Sequence, residues 1–173
     1  MTIEPAAVQA VQHVFWMQAE ALMFAHTNPW ELDAALCDWG YAIGPCEAQD
    51  LMGLEKVLSF GPDRPTPILA RMLAEGRIGK RGSVGYYRYP GGGGAVTDPL
   101  VEDLILEEAW FAKTTRSTRT DGQLVDAMHA ALLPLCRDMQ NAGMSDEVLN
   151  QVLSVAVHYP ASIGLAPIRL MGS

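Results

Sequence analysis

Hydrophobic residues recur at helical spacing through most of the chain. Val8, Val11, Phe15 and Leu22 lie on one face of a first predicted helix. A second apolar face, further along, consists of Leu124, Met128, Ala131, Leu132, Leu135 and Met139. The pattern predicts an all-α protein, a bundle of about eight helices.

The same spacing predicts which side chains are buried. The predicted core positions are Val11, Phe15, Leu22, Leu32, Leu36, Leu51, Leu54, Leu69, Leu104, Leu132, Leu135, Leu149 and Val152. Cys37, Cys46 and Cys136 are also predicted as small core residues, because they lie in apolar contexts. An odd number of cysteines without a C-x-x-C spacing favours neither a disulfide framework nor a zinc site.

Capping signals mark the starts of several helices. Asn28 and Asp98 each precede a proline, which suits the first helical turn. Asp121 is predicted to cap the long second apolar helix, and Ser145 to open the last substantial one. Pro134 lies inside the long helix, so we expect a kink or local break there.

A glycine-rich stretch, residues 76–94, interrupts the helical pattern. It follows two predicted helices, at about 46–60 and 67–76. The tetraglycine at residues 91–94 is typical of a linker. We therefore divide the chain into a first helical unit at 1–90, a glycine-rich linker at 91–97 and a second, diverged unit at 98–173.

The two halves look like diverged copies of each other. Residues 31–36 parallel residues 148–153, and Tyr41 parallels Tyr159. Leu51-Met52-Gly53 recurs as Leu170-Met171-Gly172, and the offset between the halves drifts between 117 and 120 residues. The repeat predicts two similar units that pack face to face as a pseudo-dimer within one chain.

Composition restricts the classes of function. The formal net charge of −8 argues against a nucleic-acid binder, whose binding surface would be basic. No apolar run reaches the roughly 18 residues that cross a bilayer, so we expect no membrane partner. The first residues also lack the basic-then-apolar order of a secretory signal. We therefore expect a cytoplasmic protein.

Two motifs carry a resemblance to a known family. The first, residues 28–54, reads Asn-Pro-Trp-Glu-Leu-Asp-Ala-Ala-Leu-Cys-Asp-Trp-Gly-Tyr and then Ala-Ile-Gly-Pro-Cys-Glu-Ala-Gln-Asp-Leu-Met-Gly-Leu. The second, residues 75–89, reads Glu-Gly-Arg-Ile-Gly-Lys-Arg-Gly-Ser-Val-Gly-Tyr-Tyr-Arg-Tyr. Their content, order and separation resemble the C-terminal domain of 3-hydroxyacyl-CoA dehydrogenases. In multifunctional fatty-acid oxidation enzymes, two such helical domains follow one another.

The resemblance implies a role in fatty-acid β-oxidation and also sets a limit to it. The family binds NAD on a Gly-x-Gly-x-x-Gly turn of a βαβ unit, and its catalytic His–Glu pair lies on that same domain. No such turn occurs in this chain. We therefore expect no catalytic residue, no cofactor-binding residue and no metal ligand here, with NAD bound only by a partner domain. The four histidines are predicted to be surface or capped residues.

The resemblance also implies partners, because this region of the family closes over the fatty acyl-CoA and builds the dimer contact. The expected partners are a separate NAD-binding dehydrogenase or enoyl-CoA hydratase chain, an acyl-CoA, and a second copy of the chain. Arg77, Lys80 and Arg81 are the candidate substrate-binding residues, through the coenzyme A phosphates. The competing interpretation is a constrained loop that packs its tyrosines onto the helices.

Residues 113–119 are predicted to be an exposed connection between helices and no more.

Departures from the family pattern leave the function open. Val11 and Gln12 stand where the family has Asn and Arg, and valine cannot hydrogen-bond a substrate oxygen. Arg81, Gly82 and Ser83 replace the usual Lys-Thr-Gly. Three interpretations remain: the C-terminal part of a split dehydrogenase, a degenerate non-catalytic assembly or regulatory module, and a stand-alone acyl-CoA-binding protein.

Overall fold

A computed structural model describes residues 2–173 and confirms the all-α prediction. Within these residues the α-helices are α1 (Pro5–Ala25), α2 (Pro29–Trp39), α3 (Pro45–Met52), α4 (Leu54–Ser59), α5 (Ile68–Ala74), α6 (Pro99–Phe111), α7 (Asp121–Asn141), α8 (Asp146–Val157) and α9 (Ala166–Leu170). The glycine-rich stretch contributes isolated β-bridges in place of a sheet. None of the helices in the described part is long and apolar enough to cross a membrane.

The predicted helix at 46–60 is wrong, because two helices occupy this region. Gly53 has a φ of +99°, which favours glycine and ends α3 before α4 begins. The N–H of Leu54 then donates to the carbonyl oxygen of Ile78, at 2.9 Å. This bond fixes the break between α3 and α4 against the glycine-rich stretch.

Most of the predicted helix starts are confirmed. The side-chain oxygens of Asn28, Asp98 and Ser145 each accept a backbone N–H in the first turn of the helix that follows. The prediction for Asp121 is wrong by one residue. Thr120 caps α7 and forms a capping box with Gln123, so Asp121 is already inside the helix.

Pro134 does not break α7, which runs without interruption from residue 121 to residue 141. A proline inside a helix leaves the carbonyl four residues before it without a donor. Here that residue is Ala130, which is exposed, as is Pro134 itself. Water can therefore satisfy the carbonyl, and the helix continues.

The predicted core positions are buried, with two exceptions. Leu135 is half-buried, and Leu51 is 53% exposed, so the prediction for Leu51 is wrong. The buried side of α3 is formed by Cys46, Gln49 and Asp50, which leaves Leu51 on the opposite side. Cys46 and Cys136 are buried as predicted, whereas Cys37 is exposed.

Helices α1, α2 and α3 recur in order as α7, α8 and α9. Both α1 and α7 have 21 residues, while α2 and α8 have 11 and 12. Helix α1 packs against α7 and α8, α2 packs against α7, and α9 packs on α7 as α3 packs on α1. One hydrophobic core includes side chains from both halves. The boundaries at 1–90, 91–97 and 98–173 remain predictions.

The connection between α6 and α7, residues 113–119, contacts the end of α1. Arg116 donates from its guanidinium to the carbonyl oxygens of Met23, Phe24 and Thr27, at 3.0, 3.2 and 2.6 Å. Carbonyls at the end of a helix lack partners within the helix. The prediction of a plain exposed connection at 113–119 is therefore wrong, because Arg116 caps the end of α1.

We expect Arg116→Ala to lower the free energy of unfolding by about 1.5–3 kcal/mol, because hydrogen bonds to a charged donor are lost from half-buried carbonyls. Urea denaturation measures the change. Arg119→Ala is the matched control, since its guanidinium reaches only His26, at 3.4 Å. Equal losses in the two variants would contradict the capping role of Arg116.

Candidate functional site

The carboxylate of Asp33, in the first motif, holds the start of α3. One oxygen, Oδ1, accepts the N–H of Cys46 at 2.9 Å. The other, Oδ2, accepts the N–H of Glu47 at 3.0 Å and the hydroxyl of Tyr87 at 2.8 Å. A Cβ on Gly44 would lie 2.2 Å from the Asp33 Cγ, so the motif requires glycine there.

Asp50, later in the same motif, holds the glycine-rich stretch. Its Oδ1 accepts the N–H of Tyr86 at 2.8 Å. Its Oδ2 accepts the N–H of Tyr87 at 3.0 Å and the hydroxyl of Tyr89 at 2.6 Å. A Cβ on Gly85 would lie 2.1 Å from Oδ1. The acidic residues and glycines of both motifs therefore serve the packing of this segment.

Burial governs the protonation of these two carboxyls. Desolvation raises the pKa of Asp33 to about 7 and that of Asp50 to about 6, and the donors around them offset this only in part. Burial also raises the pKa of the Tyr87 and Tyr89 hydroxyls. Both carboxylates are buried and occupied by internal donors, so neither is available to take a proton from a substrate.

The three candidate substrate-binding residues have different surroundings. Arg77 is buried, donates from Nε to the carbonyl oxygen of Gly85 at 2.8 Å and forms an ion pair with Asp98. The ammonium of Lys80 lies 5.7 Å from the centre of the Tyr89 ring. Only Arg81 is exposed. The structure thus gives Arg77 internal partners and leaves Arg81 facing solvent.

Arg81 lines an open groove of about 510 Å³ beside the first motif. Leu51, Met52 and Ile78 provide its apolar surface, and Lys56 adds a second cation. We call this the Leu51 groove. Glu55 and Gly53 complete its lining. A molecule with an apolar part and an anionic part matches this combination of side chains.

The comparisons with known proteins agree with the fold. No family model matches the chain. The peroxisomal bifunctional enzyme of Danio rerio is 32% identical over 51% of this chain, which corresponds to 15% of that enzyme. The dehydrogenase part of multifunctional enzyme 1 from C. elegans superposes with a TM-score of 0.69, at 23% identity, over 92% of this chain and 40% of that one. The resemblance to 3-hydroxyacyl-CoA dehydrogenases is confirmed.

A second dehydrogenase shares the fold. The 3-hydroxybutyryl-CoA dehydrogenase of Escherichia coli superposes with a TM-score of 0.54, at 15% identity, over 96% of this chain and 54% of its own. At 23% and 15% identity, these structures establish the dehydrogenase fold alone. The chain spans 15%, 40% and 54% of the length of these three relatives, so their activities do not follow from the likeness.

Within this dehydrogenase fold, Val11 is fully buried. Its neighbour Gln12 donates from Nε2 to the carbonyl oxygen of Ala156, at 3.2 Å. Val11 stands where the resemblance places an asparagine near the substrate. A buried valine offers no hydrogen bond to a substrate oxygen, so that contact is absent from this chain.

His129 corrects the prediction that the histidines are surface or capped residues. It is buried among the rings of Trp39, Tyr41 and Tyr159, and its Nε2 lies 3.0 Å from the Tyr41 hydroxyl. Burial lowers its pKa to about 4, so the ring is neutral near pH 7. Without access to solvent, His129 belongs to the core.

Sequence reasoning missed Leu51 and Lys56 as members of the groove. The available signal was the unusual content of α3, where polar Gln49 and Asp50 precede Leu51. Gln49 and Asp50 are buried, so they occupy the inner side of α3 and leave Leu51 exposed on the other side. Lys56 lies on α4, beyond the break at Gly53, so no helical spacing from α3 indicates its place in the groove. No group of His, Cys, Asp or Glu within residues 2–173 could hold a metal ion.

We expect Tyr87→Phe and Tyr86→Phe to have different effects. Tyr87 donates its hydroxyl to Asp33, whereas the buried hydroxyl of Tyr86 has no partner. Tyr87→Phe should lower the free energy of unfolding by about 1–3 kcal/mol, because the buried carboxyl of Asp33 loses a donor. Tyr86→Phe should leave the free energy of unfolding unchanged or raise it. Equal destabilisation by both, in urea denaturation, would contradict this assignment.

The pH dependence of stability should report the burial of Asp33. Its pKa is about 7 in the folded chain and about 3.9 when unfolded, so the folded chain binds more protons between these values. Its contribution to stability is full below pH ~4 and is lost as the pH rises to ~7. The stability difference between wild type and Asp33→Asn should shrink across that window by at most about 1.4 kcal/mol per pH unit.

Asp103→Asn is the matched control for the pH experiment, because Asp103 is exposed and makes no hydrogen bond within the described residues. Its difference from wild type should stay constant across the same window. Urea denaturation at half-unit pH steps measures both differences. A difference for Asp33→Asn that stays flat, or that grows with pH, would refute the raised pKa.

Proposed function

We propose that this chain is the substrate-binding and dimerisation region of a 3-hydroxyacyl-CoA dehydrogenase of fatty-acid β-oxidation, inactive alone and paired with a separate NAD-binding chain. The supporting observation is the one-sided match to dehydrogenase structures. The match covers 92% and 96% of this chain but only 40% and 54% of the two dehydrogenases. The remaining part of those dehydrogenases has no counterpart in residues 2–173.

The chemistry of the described residues supports the same proposal. Hydride transfer requires a nicotinamide cofactor that a binding fold positions against the substrate. Residues 2–173 contain isolated β-bridges and no βαβ unit. The buried histidine, His129, and the buried carboxyls, Asp33 and Asp50, are committed to internal partners. In this proposal, NAD and the catalytic acid–base pair lie outside residues 2–173, on a partner chain.

The Leu51 groove is the contact surface that this proposal requires. A leucine that is 53% exposed beside two half-buried apolar residues, Met52 and Ile78, favours contact with another molecule. Arg81 and Lys56 have no ion pair within the described residues and suit the phosphates of coenzyme A. Of the three predicted substrate-binding residues, Arg81 is thus the one we assign to acyl-CoA.

A second function is favoured by one specific observation. Val11 is buried where the family places a substrate-contacting asparagine. A degenerate, non-catalytic module for assembly or regulation would tolerate that change, whereas an active dehydrogenase has to position the substrate by other contacts. A stand-alone acyl-CoA-binding protein would use the Leu51 groove without any partner.

The pure chain should show no NADH-linked turnover of acetoacetyl-CoA, because it lacks the nucleotide-binding part. A tagged copy from native cells should retain a stoichiometric chain with an NAD-binding or hydratase domain, identified by mass spectrometry. Recombining the two chains should restore turnover. Turnover by the pure chain would refute the proposal, and a tagged copy that is recovered alone would favour the assembly module or the acyl-CoA-binding protein.

Two variants test the groove within this experiment. Leu51→Asp should abolish capture of the partner or raise the KM of the recombined enzyme, because it places a charge on the apolar surface. Arg81→Glu should weaken acetoacetyl-CoA binding at least tenfold by repelling its phosphates. Val155→Asp is the matched control, since Val155 is 57% exposed on α8, away from the groove. Equal effects of Leu51→Asp and Val155→Asp would exclude the groove.

A further inference from the structure

A cleft in the second helical unit has a filled counterpart in the first. The cleft lies between α7, α8 and α9 and has a volume of about 240 Å³. Leu133, Leu149, Leu165 and Ile168 form its apolar surface, and Arg137 and Arg169 add two cations. We call it the α7–α9 cleft.

The repeat identifies the counterpart of each side chain in this cleft. An offset of 117 residues pairs five of the seven buried positions of α7 with buried positions of α1, and an offset of 119 residues pairs α9 with α3. Leu133 corresponds to Trp16, and Leu149 to Leu32, all of them buried. The two cations correspond to acids: Arg137 to Glu20, and Arg169 to Asp50. The charges of the cleft are therefore reversed between the units.

Donors from two segments, residues 64–69 and residues 86–89, satisfy the two acids in the first unit. Glu20 accepts the hydroxyl of Thr66 at 3.1 Å and pairs with Arg64. Asp50 accepts the backbone N–H groups of Tyr86 and Tyr87. The Tyr86 side chain is fully buried, and its pKa is raised by burial and by the nearby Glu20. The cleft of the first unit is thus closed by the chain's own donors and an aromatic ring.

In the α7–α9 cleft, the backbone of Gly172 lies against the side chains of Arg137 and Leu133 at one edge. Arg137 is exposed and makes neither a hydrogen bond nor an ion pair within the described residues. Arg169 shares the carboxylate of Asp146 with Gln140 in an exposed contact. Exposed ion pairs contribute little to stability, so Asp146 can give way to another anion. A ligand that matches this cleft has an apolar part and an anionic group that accepts hydrogen bonds.

We propose that the α7–α9 cleft binds a small amphipathic anion, a carboxylate on an apolar chain of about six to eight carbons, with Arg137 as its main charge partner. The apolar chain would pack on Leu133, Leu149, Leu165 and Ile168. A cavity of roughly 150 Å³ holds benzene, which has six carbons, so the cleft of about 240 Å³ has room for a chain of about six to eight carbons. Binding is non-covalent, because burial raises the pKa of the Cys136 thiol in the cleft to about 11. The proposal does not depend on the dehydrogenase assignment.

Calorimetric titration of the pure chain with octanoate tests the proposal. We expect saturable binding at one site per chain, and no comparable binding of octan-1-ol, which lacks the charge. Arg137→Gln should weaken octanoate binding about tenfold or more, because a charge-assisted hydrogen bond is lost. Leu165→Trp should abolish binding by filling the cleft, while thermal melting verifies that both variants are folded.

Lys113→Gln is the matched control, because it removes an exposed cation outside the cleft. It should leave octanoate binding unchanged. Equal affinity for octanoate and octan-1-ol would overturn the proposal, as would equal effects of Arg137→Gln and Lys113→Gln. No saturable binding, or loss of binding in Arg81→Glu instead of Arg137→Gln, would also overturn it. The last result would place the ligand in the Leu51 groove.

Discussion

Two buried carboxylates, Asp33 and Asp50, hold together the part of the fold that has no regular secondary structure. Between them they accept backbone or hydroxyl hydrogens from α3 and from Tyr86, Tyr87 and Tyr89. Buried backbone N–H groups need acceptors, and a glycine-rich stretch cannot supply them through a helix or a sheet. Side-chain carboxylates therefore take the place of a ladder. The position of the stretch, and with it the Leu51 groove, depends on these two groups.

This arrangement explains why the motifs report the fold more directly than the activity. Asp33, Asp50 and Tyr87 belong to the two motifs that resemble the dehydrogenases, and all three have internal partners. Gly44 and Gly85 belong to the same motifs and leave room for the two carboxylates. A chain can keep this pattern for folding alone. A dehydrogenase role therefore requires contacts outside the motif side chains that hold the fold, and the Leu51 groove is the candidate surface for them.

Local signals in the sequence were sufficient for the helix starts, because Asn28, Asp98 and Ser145 act on their own first turns. Tertiary contacts decided what the sequence could not predict. Leu51 is exposed because its neighbour Asp50 finds donors inside the protein, and His129 is buried because three aromatic rings surround it. Arg116 caps a helix some 90 residues away, which no local pattern indicates. The groove was predictable only through Arg81.

Comparison of the two helical units distinguishes side-chain positions that packing constrains from positions that can differ between the units. Phe15 and Leu132 occupy corresponding positions and both face the shared core, where a smaller side chain would leave a cavity. Glu20, the counterpart of Arg137 in the first unit, is buried, pairs with Arg64 and accepts the hydroxyl of Thr66. The position of Arg137 is exposed, so a charged side chain there stays hydrated and needs no internal partner. An arginine therefore has no burial cost at this position of the second unit, and together with Arg169 it makes the α7–α9 cleft cationic.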